Sequence, residues 1–459
     1  MAIRRALAEW RIGIVGLGYV GLTTAAVLAY HGVKVTGVDV DAAKVEAINR
    51  GEAPIYEPGL NKLLREAIER GTLYATTSYA PLREADIIFI TVGTPSLSDG
   101  SINLGYVFDA AEKLADALAA STAEYPVVAV KSTVVPGTTR RVAGIIEEQT
   151  GLHPGRDFGA ASNPEFLREG RAVEDTLNPS RVVIGGIEPR SASQLKEFWQ
   201  SFYQRLGTNP PILVVDNPET AEMIKYASNA FLAMKISFAN MLARICEKIT
   251  GCDIVEVVKG MARDPRINPA FLGAGLGYGG SCFPKDVKAL TAHARSLCVE
   301  PRLLEAIDWV NETQPHHIAK RLEELLNTLR GKTVTILGAA FKPDTDDVRE
   351  SRALALAKIL AERGARVRIH DPNPKALENA KRTLGPIAEY TTSMEEALRG
   401  ADAAVIATDW EHYKSLNPAL YTRLMRRPLL FDARRIYDPQ TMKKAGVEYH
   451  AVGLGGDPK

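Results

Sequence analysis

The sequence has few cysteines, almost no net charge and no long hydrophobic run. Its four cysteines stand at positions 246, 252, 282 and 298, a spacing that matches neither a zinc site nor a disulfide framework. We therefore expect reduced thiols. The eight histidines are also without metal-ligand spacing on one helical face, so we predict no bound metal.

The charge balance excludes a further set of functions. Lys and Arg number 56 against 55 Asp and Glu, and the net charge of +1 provides no electrostatic footprint for nucleic acid or an anionic membrane. The first ten residues are too short for a secretory signal, and no apolar run approaches the length of a bilayer span. We therefore expect a soluble cytoplasmic protein. Its 459 residues, 46% of them hydrophobic, predict two or three domains with sizeable cores.

The N-terminal stretch has the pattern of a dinucleotide-binding fold. A short apolar strand, residues 11–15, leads into Gly16-Leu-Gly18-Tyr-Val-Gly21 and a helical run. The first glycine permits the tight turn, the second lets a pyrophosphate approach the backbone, and the third lets the helix pack on the strand. Asp39 ends a second strand 23 residues after Gly16, where a carboxylate grips the adenosine ribose, which favours NAD over NADP.

Later strands of this α/β pattern end in polar residues. Thr94, Ser132 and Thr133 follow two of them, and ligands of doubly wound sheets lie outside such strand ends, although turn hydroxyls are an equal alternative. In the segment SNPEFLREG, Asn163 and Pro164 predict a helix start that would place Glu165 and Glu169 on one face. Those carboxylates divide acid and base roles or form an ordinary acidic first turn.

Residues 218–251 predict one long helix, without internal proline or glycine, that bridges domains and carries a subunit interface. Lys225 and Asn229 are four residues apart on it and are able to present a cation and an amide to one oxyanion. Either residue alone is more often a solvated or capping side chain.

The run Gly-Tyr-Gly-Gly-Ser-Cys-Phe-Pro-Lys-Asp, residues 277–286, combines bare backbone with a thiol at a predicted helix start. Amide dipoles at a helix N-terminus favour the thiolate of Cys282, and Asp286 lies one turn further on. A buried cysteine beside a glycine turn is the alternative for this motif in isolation.

The plan of the first domain recurs after residue 332, but without the glycine fingerprint. Strands are predicted at residues 332–337, 366–369, 403–407 and 429–431. Four cations, Lys342, Arg349, Arg434 and Arg435, follow strand ends. They favour a second, nucleotide-like ligand with phosphates over a second dinucleotide, with surface basic residues as the alternative.

Five motifs in this order, GLGYVGL, SNPEFLREG, the KYASN helix, GYGGSCFPKD and FKPDTDDVRES, resemble the UDP-glucose 6-dehydrogenase family over nearly the whole chain. The resemblance implies two Rossmann-like, doubly wound parallel-sheet domains joined by a long central helix. It implies an NAD-binding domain at 1–210, a central helical and dimerisation region with the cysteine loop at 211–325, and a UDP-sugar-binding domain at 326–459. The implied partners are a UDP-sugar and a second copy of the chain, with assembly beyond the dimer left open.

The chemistry that the resemblance implies is a four-electron oxidation of UDP-glucose to UDP-glucuronate with two NAD molecules. Cys282 would form a thiohemiacetal and then a thioester. Lys225 and Asn229 would stabilise oxyanions, Asp286 with a water near Thr133 would assist deprotonation, and Glu165 would be the base in thioester hydrolysis.

The same resemblance assigns binding residues. Those implied around NAD are Gly16, Gly18, Tyr19, Val20, Gly21, Asp39, Lys44, Thr94, Thr133, Glu169 and Arg349. Those implied around the UDP-sugar are Glu165, Phe166, Leu167, Lys225, Asn229, Arg266, Phe271, Leu272, Gly273, Ala274, Gly275, Gly279, Phe341, Lys342 and one of Arg434 or Arg435. Arg266 would reach across the dimer.

Two departures from the family pattern stand out. Met241 occupies a position where relatives often carry glutamate, and Gly273 one where some carry lysine, which leaves substrate preference less defined. The alternatives are a dehydrogenase of a UDP-N-acetylhexosamine or GDP-mannose, and a catalytically silent nucleotide-sugar sensor. The sensor is disfavoured because Cys282, Lys225, Asn229, Glu165 and Asp286 are all present.

Overall fold

The structure is a computed structural model that describes residues 5–456, and the chain divides into two compact units between Ser228 and Asn229. Each unit contains one sheet with helices on both faces, which confirms the predicted pair of Rossmann-like α/β domains. Within residues 5–456 no helix is long and apolar enough to cross a membrane.

The first unit contains an eight-stranded sheet in the order β3-β2-β1-β4-β5-β6-β7-β8. All neighbours pair in parallel except β6 and β7, so the last two strands run against the others. The strands are β1 (Arg11–Val15), β2 (Lys34–Val38), β3 (Leu73–Thr76), β4 (Ile87–Ile90), β5 (Val127–Val130), β6 (Gly159–Ser162), β7 (Val182–Gly186) and β8 (Ile212–Val215).

Helices cover both faces of this sheet. They are α1 (Tyr19–Tyr30), α2 (Ala42–Asn49), α3 (Leu60–Glu69), α4 (Gly105–Ala119), α5 (Thr138–Thr150), α6 (Ala172–Leu177) and α7 (Pro189–Arg205), with short 3₁₀ helices at Leu7–Glu9 and Ala80–Glu84. The long α8 (Pro218–Cys246) contains the division between the two units. Along β4, Ile87 and Phe89 enter one core, and Ile88 and Ile90 enter the core on the other face. This continuous apolar run is typical of a parallel strand that is buried on both sides.

The second unit repeats the plan with six parallel strands in the order β11-β10-β9-β12-β13-β14. The strands are β9 (Thr333–Leu337), β10 (Arg366–His370), β11 (Ala388–Thr391), β12 (Ala403–Ile406), β13 (Leu429–Asp432) and β14 (Glu448–Ala451). The helices are α9 (Ile254–Met261), α10 (Phe283–Ser296), α11 (Arg302–Leu326), α12 (Arg352–Glu362), α13 (Pro374–Leu384), α14 (Met394–Leu398), α15 (Glu411–Lys414), α16 (Ala419–Leu424) and α17 (Pro439–Lys444), with a 3₁₀ helix at Gly385–Ile387.

The predicted helix start at Asn163 and Pro164 is wrong. Residues 163–168 form neither helix nor strand, and the helix of this segment, α6, begins only at Ala172. The side chain of Asn163 is fully buried, where its Nδ2 donates to the Val183 carbonyl at 2.8 Å and its Oδ1 accepts from Trp199 Nε1 at 3.1 Å. An amide engaged in this way is not available to cap a helix, so Glu165 and Glu169 do not share a helical face.

The end of the long helix also differs from the prediction. α8 ends at Cys246 rather than at residue 251, because the chain turns sharply there and the N–H of Ile249 donates to the Cys246 carbonyl at 2.9 Å. The turn brings Cys252 back to Cys246, with 5.0 Å between the Cα atoms, and a disulfide joins the two residues. The expectation of reduced thiols is therefore wrong for this pair, while Cys282 and Cys298 stand outside any disulfide.

Candidate functional site

The glycine turn after β1 has the geometry that its three glycines require. Gly16 has a φ of +92° and donates its N–H to the Val38 carbonyl at 2.7 Å. A Cβ at Gly21 would lie 1.9 Å from the Gly16 carbonyl oxygen, so only glycine allows α1 to approach β1 so closely. A Cβ at Gly18 would meet nothing within 4 Å. The space over Gly18 is open, as the approach of a pyrophosphate requires.

The first turn of α1 begins at Tyr19, directly after Gly18, so its leading N–H groups have no acceptor within the helix. The Tyr19 hydroxyl forms hydrogen bonds with Glu57 and with the N–H of Gly170, next to the predicted cofactor residue Glu169. Val20, also predicted near the cofactor, is the second residue of α1. These residues fit a bound dinucleotide.

Asp39 follows β2 at the same edge of the sheet. Its Oδ2 accepts from the N–H of Leu17 at 2.8 Å and from Lys44 Nζ at 2.9 Å, and its Oδ1 accepts from the N–H of Asp41. The carboxylate is thereby fixed beside the glycine turn. Lys44, another predicted cofactor residue, is its ion-pair partner.

The polar residues after β4 and β5 hold each other in place. The Thr94 hydroxyl donates to the Thr133 carbonyl at 3.0 Å, and the Ser132 hydroxyl donates to the Val92 carbonyl at 2.7 Å. The structure therefore brings Thr94 and Thr133 together, as expected for residues at the carboxyl ends of neighbouring parallel strands.

Glu165 and Lys225 form a buried ion pair in the first unit. Their atoms Oε1 and Nζ are 2.9 Å apart, and both side chains are more than 90% buried. Burial alone would raise the pKa of Glu165, but Lys225, the N–H of Leu167 and Lys131 outweigh it and hold the pKa below its ordinary value. The carboxylate is therefore ionised at neutral pH, which suits a general base.

Phe166, a predicted substrate residue, lies between two cations. The guanidinium carbon of Arg181 is 4.0 Å from its ring centroid and Lys225 Nζ is 5.4 Å from it. The ring thus helps to hold Lys225 beside Glu165. Arg181 in turn donates to the Ser228 hydroxyl at 3.0 Å.

Two buried charged residues near this pair were not predicted. Lys131, directly after β5, and Glu222, one turn before Lys225 on α8, are each more than 90% buried. Glu222 accepts from the N–H of Gly137 and from both the N–H and the hydroxyl of Thr139, and so ties the start of α5 to α8. The sequence offered one signal for Lys131, namely that this charged residue directly follows the apolar run VVAV.

In the second unit, Cys282 occupies the N-cap position of α10, at the predicted helix start. Its side chain is exposed. Asp286, one turn later, is buried, and its N–H donates to the Cys282 carbonyl at 2.9 Å. The Asp286 carboxylate accepts from Asn229 Nδ2 at 2.6 Å and from Lys285 Nζ at 2.5 Å. Three of the predicted catalytic residues, Asn229, Cys282 and Asp286, therefore belong to one cluster.

The glycines of the cysteine loop are needed for packing against the chain itself. A Cβ at Gly275 would lie 2.7 Å from the Ala433 carbonyl oxygen, one at Gly279 would lie 2.4 Å from the Glu350 carbonyl oxygen, and one at Gly280 would meet the Phe341 ring at 2.7 Å. The interpretation that the glycines of residues 277–286 leave bare N–H groups is wrong for Gly280, which donates to the Arg349 carbonyl. Gly275, just before this run, donates to Asn240 Oδ1.

Three buried amide side chains support this loop and were missed by the sequence analysis. Asn240 on α8 accepts from Gly275, Asn311 on α11 accepts from and donates to the backbone of Tyr278, and Gln314 donates to the Gly275 carbonyl. The sequence signal for each of these amides was its position as a polar residue on the apolar side of a helix. Such amides fix a loop that has little side-chain packing of its own.

The predicted substrate segment 271–275 leads into this loop. Phe271, at a φ of +65°, is half-exposed and packs edge-on against Phe283, whereas Leu272 is buried. Ala274 packs against the core of the unit. A Cβ at Gly273 would meet nothing within 4 Å, so the space that a lysine would use in relatives is open.

Phe341 and Lys342 belong to the loop between β9 and α12, where Lys342 Nζ lies 5.4 Å from the Phe341 ring centroid. In the same loop, Arg349 pairs with Asp347. The exposed Arg266 pairs with Asp264. Their predicted ligand roles stay predictions.

The two neighbouring arginines after β13 have different surroundings. Arg435 forms an ion pair with Asp253 at 2.8 Å and donates to the Val452 carbonyl. Arg434 donates to the Ala407 carbonyl and to the Gly277 carbonyl within the cysteine loop. The surroundings favour Arg434 as the candidate substrate residue. No cluster of three or more metal-ligating side chains is found between residues 5 and 456.

The fold, the open glycine turn and the fixed Asp39 define an α/β protein with a dinucleotide-binding domain. Comparison with known protein families identifies the family to which this chain belongs. Residues 10–203, 219–313 and 335–439 match, in turn, the NAD binding, central and UDP binding domains of the UDP-glucose/GDP-mannose dehydrogenase family. The chain belongs to this family.

Individual relatives match almost end to end. The chain is 44% identical to the UDP-glucose 6-dehydrogenase YwqF of Bacillus subtilis, over 96% of this chain and 97% of that protein. It is 45% identical to the UDP-glucose 6-dehydrogenase AglM of Haloferax volcanii, over 96% and 99%. Among solved structures, a UDP-glucose dehydrogenase from Pyrobaculum islandicum is 40% identical, covers 99% of each chain and superposes with a TM-score of 0.88.

Proposed function

We propose that this protein is an NAD-dependent dehydrogenase that oxidises the primary alcohol of UDP-glucose to a carboxylate and so forms UDP-glucuronate. The observation that carries the proposal is that each unit contains one half of the required chemistry around a buried carboxylate. The first unit holds the base pair Glu165–Lys225 beside the strand ends of the dinucleotide fold, and the second holds the thiol of Cys282 above Asn229 and Asp286. The names of the relatives support UDP-glucose as the substrate.

NAD, when bound at the glycine turn, accepts a hydride in each of the two oxidations. In the first oxidation the alcohol loses its proton, with a water near Thr133 and the buried Asp286 as the route for that proton. The aldehyde carbon is then attacked by the Cys282 thiolate, which forms a carbon–sulfur bond and a thiohemiacetal. Covalent capture keeps the aldehyde from escaping.

The second oxidation converts the thiohemiacetal into a thioester. Glu165 removes a proton from water, whose oxygen attacks the thioester carbon, and the carbon–sulfur bond breaks to restore the Cys282 thiolate and release the carboxylate product. Lys225 and Asn229 donate to the oxygen anions of the tetrahedral species, as preorganised donors do in acyl transfer.

The test is to count NADH formed per sugar consumed for UDP-glucose, UDP-galactose, UDP-N-acetylglucosamine, UDP-N-acetylmannosamine and GDP-mannose. We expect two NADH per UDP-glucose and little turnover of the others. Two per a different sugar keeps the mechanism and replaces the substrate, and no turnover despite NAD binding would favour a nucleotide-sugar sensor.

Cys282→Ser should lower complete turnover at least about a thousandfold and leave at most one NADH per sugar, because an alkoxide forms far less readily than a thiolate. The matched control is Cys298→Ser, which changes the other cysteine outside a disulfide and should leave kcat unchanged. A Cys282→Ser variant that still forms two NADH per sugar would exclude the thioester route.

We also propose that the protein is a homodimer through α8. The helix has an exposed apolar stripe at Phe231, Phe238, Met241 and Ile245, spaced seven, three and four residues apart and hence on one face. Met241 extends this stripe where relatives often carry glutamate. Sedimentation equilibrium should give a dimer mass, and Phe238→Glu should shift the mass towards the monomer.

The proposed function assigns NAD binding to residues 1–210, dimerisation and the cysteine loop to 211–325, and UDP-sugar binding to 326–459. It further places Arg266 of one copy at the site of the other, and the enzyme in the cytoplasm. Limited proteolysis with mass spectrometry would locate the true limits, and chemical crosslinking at position 266 would test the contact between copies.

A further inference from the structure

A second ammonium group lies behind the Glu165–Lys225 pair, and the reaction proposed for this protein does not use it. Lys131 is more than 90% buried. Its Nζ is 3.5 Å from Asn163 Oδ1, 5.4 Å from the ring centroid of Trp199 and 6.0 Å from that of Phe89. It therefore lies against two aromatic faces with one long hydrogen bond, which is meagre compensation for a buried cation.

The cluster contains two cations for one carboxylate. Lys131 and Lys225 both interact electrostatically with Glu165, and they repel each other. Phe89 on β4, Asn163 and Trp199 on α7, which surround Lys131, bear no charge. Since Lys225 alone neutralises Glu165 in the folded protein, the second buried cation is unfavourable for folding and calls for a functional explanation.

The proposed reaction supplies that explanation. Lys225 has two tasks, as the counter-ion of Glu165 and as a donor to a developing oxygen anion. While Lys225 interacts with that anion, Glu165 would lose its counter-ion and, being buried, would take up a proton and cease to be a base. A second cation next to Glu165 prevents this.

We propose that Lys131 is a positioning residue whose buried positive charge keeps Glu165 ionised and ready to act as base while Lys225 turns to the oxygen anion. The inference rests on the proposed function. Lys131 touches neither substrate nor cofactor in this scheme and acts only through Glu165.

The state of Lys131 itself changes within the working pH range. Burial lowers its pKa to about 8, although Glu165 raises it in part. Lys131 is thus charged at neutral pH and becomes neutral as the pH rises through 8. Lys131→Met, which retains the length of the side chain but has no charge, should therefore differ from the wild type on the acid limb, where Lys131 is charged and Glu165 takes up its proton.

The experiment compares pH profiles of kcat for the wild type and Lys131→Met with UDP-glucose and NAD. The acid limb of the variant should move up by about one pH unit, because Glu165 loses the attraction of a nearby cation. The ratio of wild-type to variant kcat should be about ten at the lowest pH of the profile and approach one above the acid limb, where Glu165 is ionised in both proteins. The melting temperature should be unchanged or higher, since a buried cation has been removed.

The matched control is Trp199→Phe, which alters the packing of the same cluster and leaves every charge in place. It should lower kcat by one factor at all pH values without moving the acid limb. The inference is overturned if Lys131→Met lowers kcat equally at every pH, if it leaves the profile unchanged, or if Trp199→Phe moves the limb as far.

A second measurement needs no turnover. The infrared carboxyl band that disappears in Glu165→Gln identifies protonated Glu165, and it should appear at higher pH in Lys131→Met than in the wild type. If the wild type oxidises no nucleotide sugar, the proposed function fails, and this band still decides the effect of Lys131 on Glu165. An unshifted band would overturn the inference even if UDP-glucose is oxidised.

Discussion

The two units have the same turn after their first strand and use it differently. In the first, Gly16 at a φ of +92° donates to the carbonyl of Val38, the last residue of β2; in the second, Gly338 at +110° donates to the carbonyl of His370, the last residue of β10. An aspartate comes next in each case, and it accepts an N–H from the glycine turn. The backbone conformation and hydrogen bonding of this glycine turn are therefore common to both units.

The two units differ in the segment that comes directly after this glycine. In the first unit α1 begins three residues after Gly16, whereas in the second α12 begins only at Arg352, after a loop that contains Phe341 and Lys342. That loop packs against Gly279 and Gly280 of the cysteine segment. A helix start beside the turn suits a pyrophosphate, and the inserted loop occupies the equivalent place in the second unit. The turn is thus a structural unit, and the residues after it decide the ligand.

The aspartates illustrate the same divergence. Asp39 is slightly exposed and pairs with Lys44. Asp371 is fully buried and accepts from the N–H groups of Ala339, Ala340 and Asn373. Burial raises the pKa of Asp371, although these hydrogen bonds oppose it. Asp39, the aspartate predicted to meet a ribose, is therefore the more exposed of the two.

The largest effect is expected at the shared glycine turn. Gly338→Ala should lower the free energy of unfolding by about 3 kcal/mol or more, because φ is +110° and the new Cβ would lie 2.3 Å from Thr408 Oγ1. Gly21→Ala should be equally severe. Gly18→Ala, whose Cβ meets open space, should retain stability and lose affinity for NAD. Calorimetry measures the stability of each variant, and NAD titration measures its affinity for NAD. A Gly338→Ala variant as stable as the wild type would refute the structural equivalence of the two turns.

A smaller effect should separate the two aspartates. Asp39→Asn should weaken NAD binding about tenfold, the worth of one charged hydrogen bond, and should also lower the free energy of unfolding, because Asp39 accepts N–H groups on both oxygens. Asp371→Asn should leave the dissociation constant for NAD unchanged and lower the free energy of unfolding by about 1–3 kcal/mol, because an amide cannot accept from both sides. Equal effects of the two changes on NAD binding would break the comparison.

The smallest effect at neutral pH concerns His370, which stands where the first unit has Val38. Burial lowers the pKa of His370 to about 4, against an ordinary value of 6.5. The unfolded chain therefore binds a proton between pH 6.5 and 4 while the folded protein does not, and stability is lost as the pH falls through this window. His370→Val should reduce this loss by about 3 kcal/mol at pH 4. Chemical unfolding at pH 7 and pH 4 measures this loss of stability. If the variant loses as much stability as the wild type between these pH values, His370 is not its cause.

Much of the site was predictable because its signals are local. A glycine turn between strand and helix has few backbone solutions, so Gly16, Gly21 and Asp39 could be placed from spacing alone, and a proline two residues after Cys282 marked the start of α10. The prediction for Asn163 failed for the opposite reason. Its amide bonds to Val183 and Trp199, residues 20 and 36 positions away, and no local pattern reveals such partners.

The sequence by itself determined the two Rossmann-like units, the dinucleotide turn and the thiol at a helix start, since these depend on backbone conformations that neighbouring residues specify. Only the tertiary structure decided which charges are buried together. Lys131, Glu165 and Lys225 come from three distant segments, and their protonation depends on desolvation and on each other's charge. Electrostatic environment is a property of the packed cluster, which explains why Lys131 emerged only from the structure.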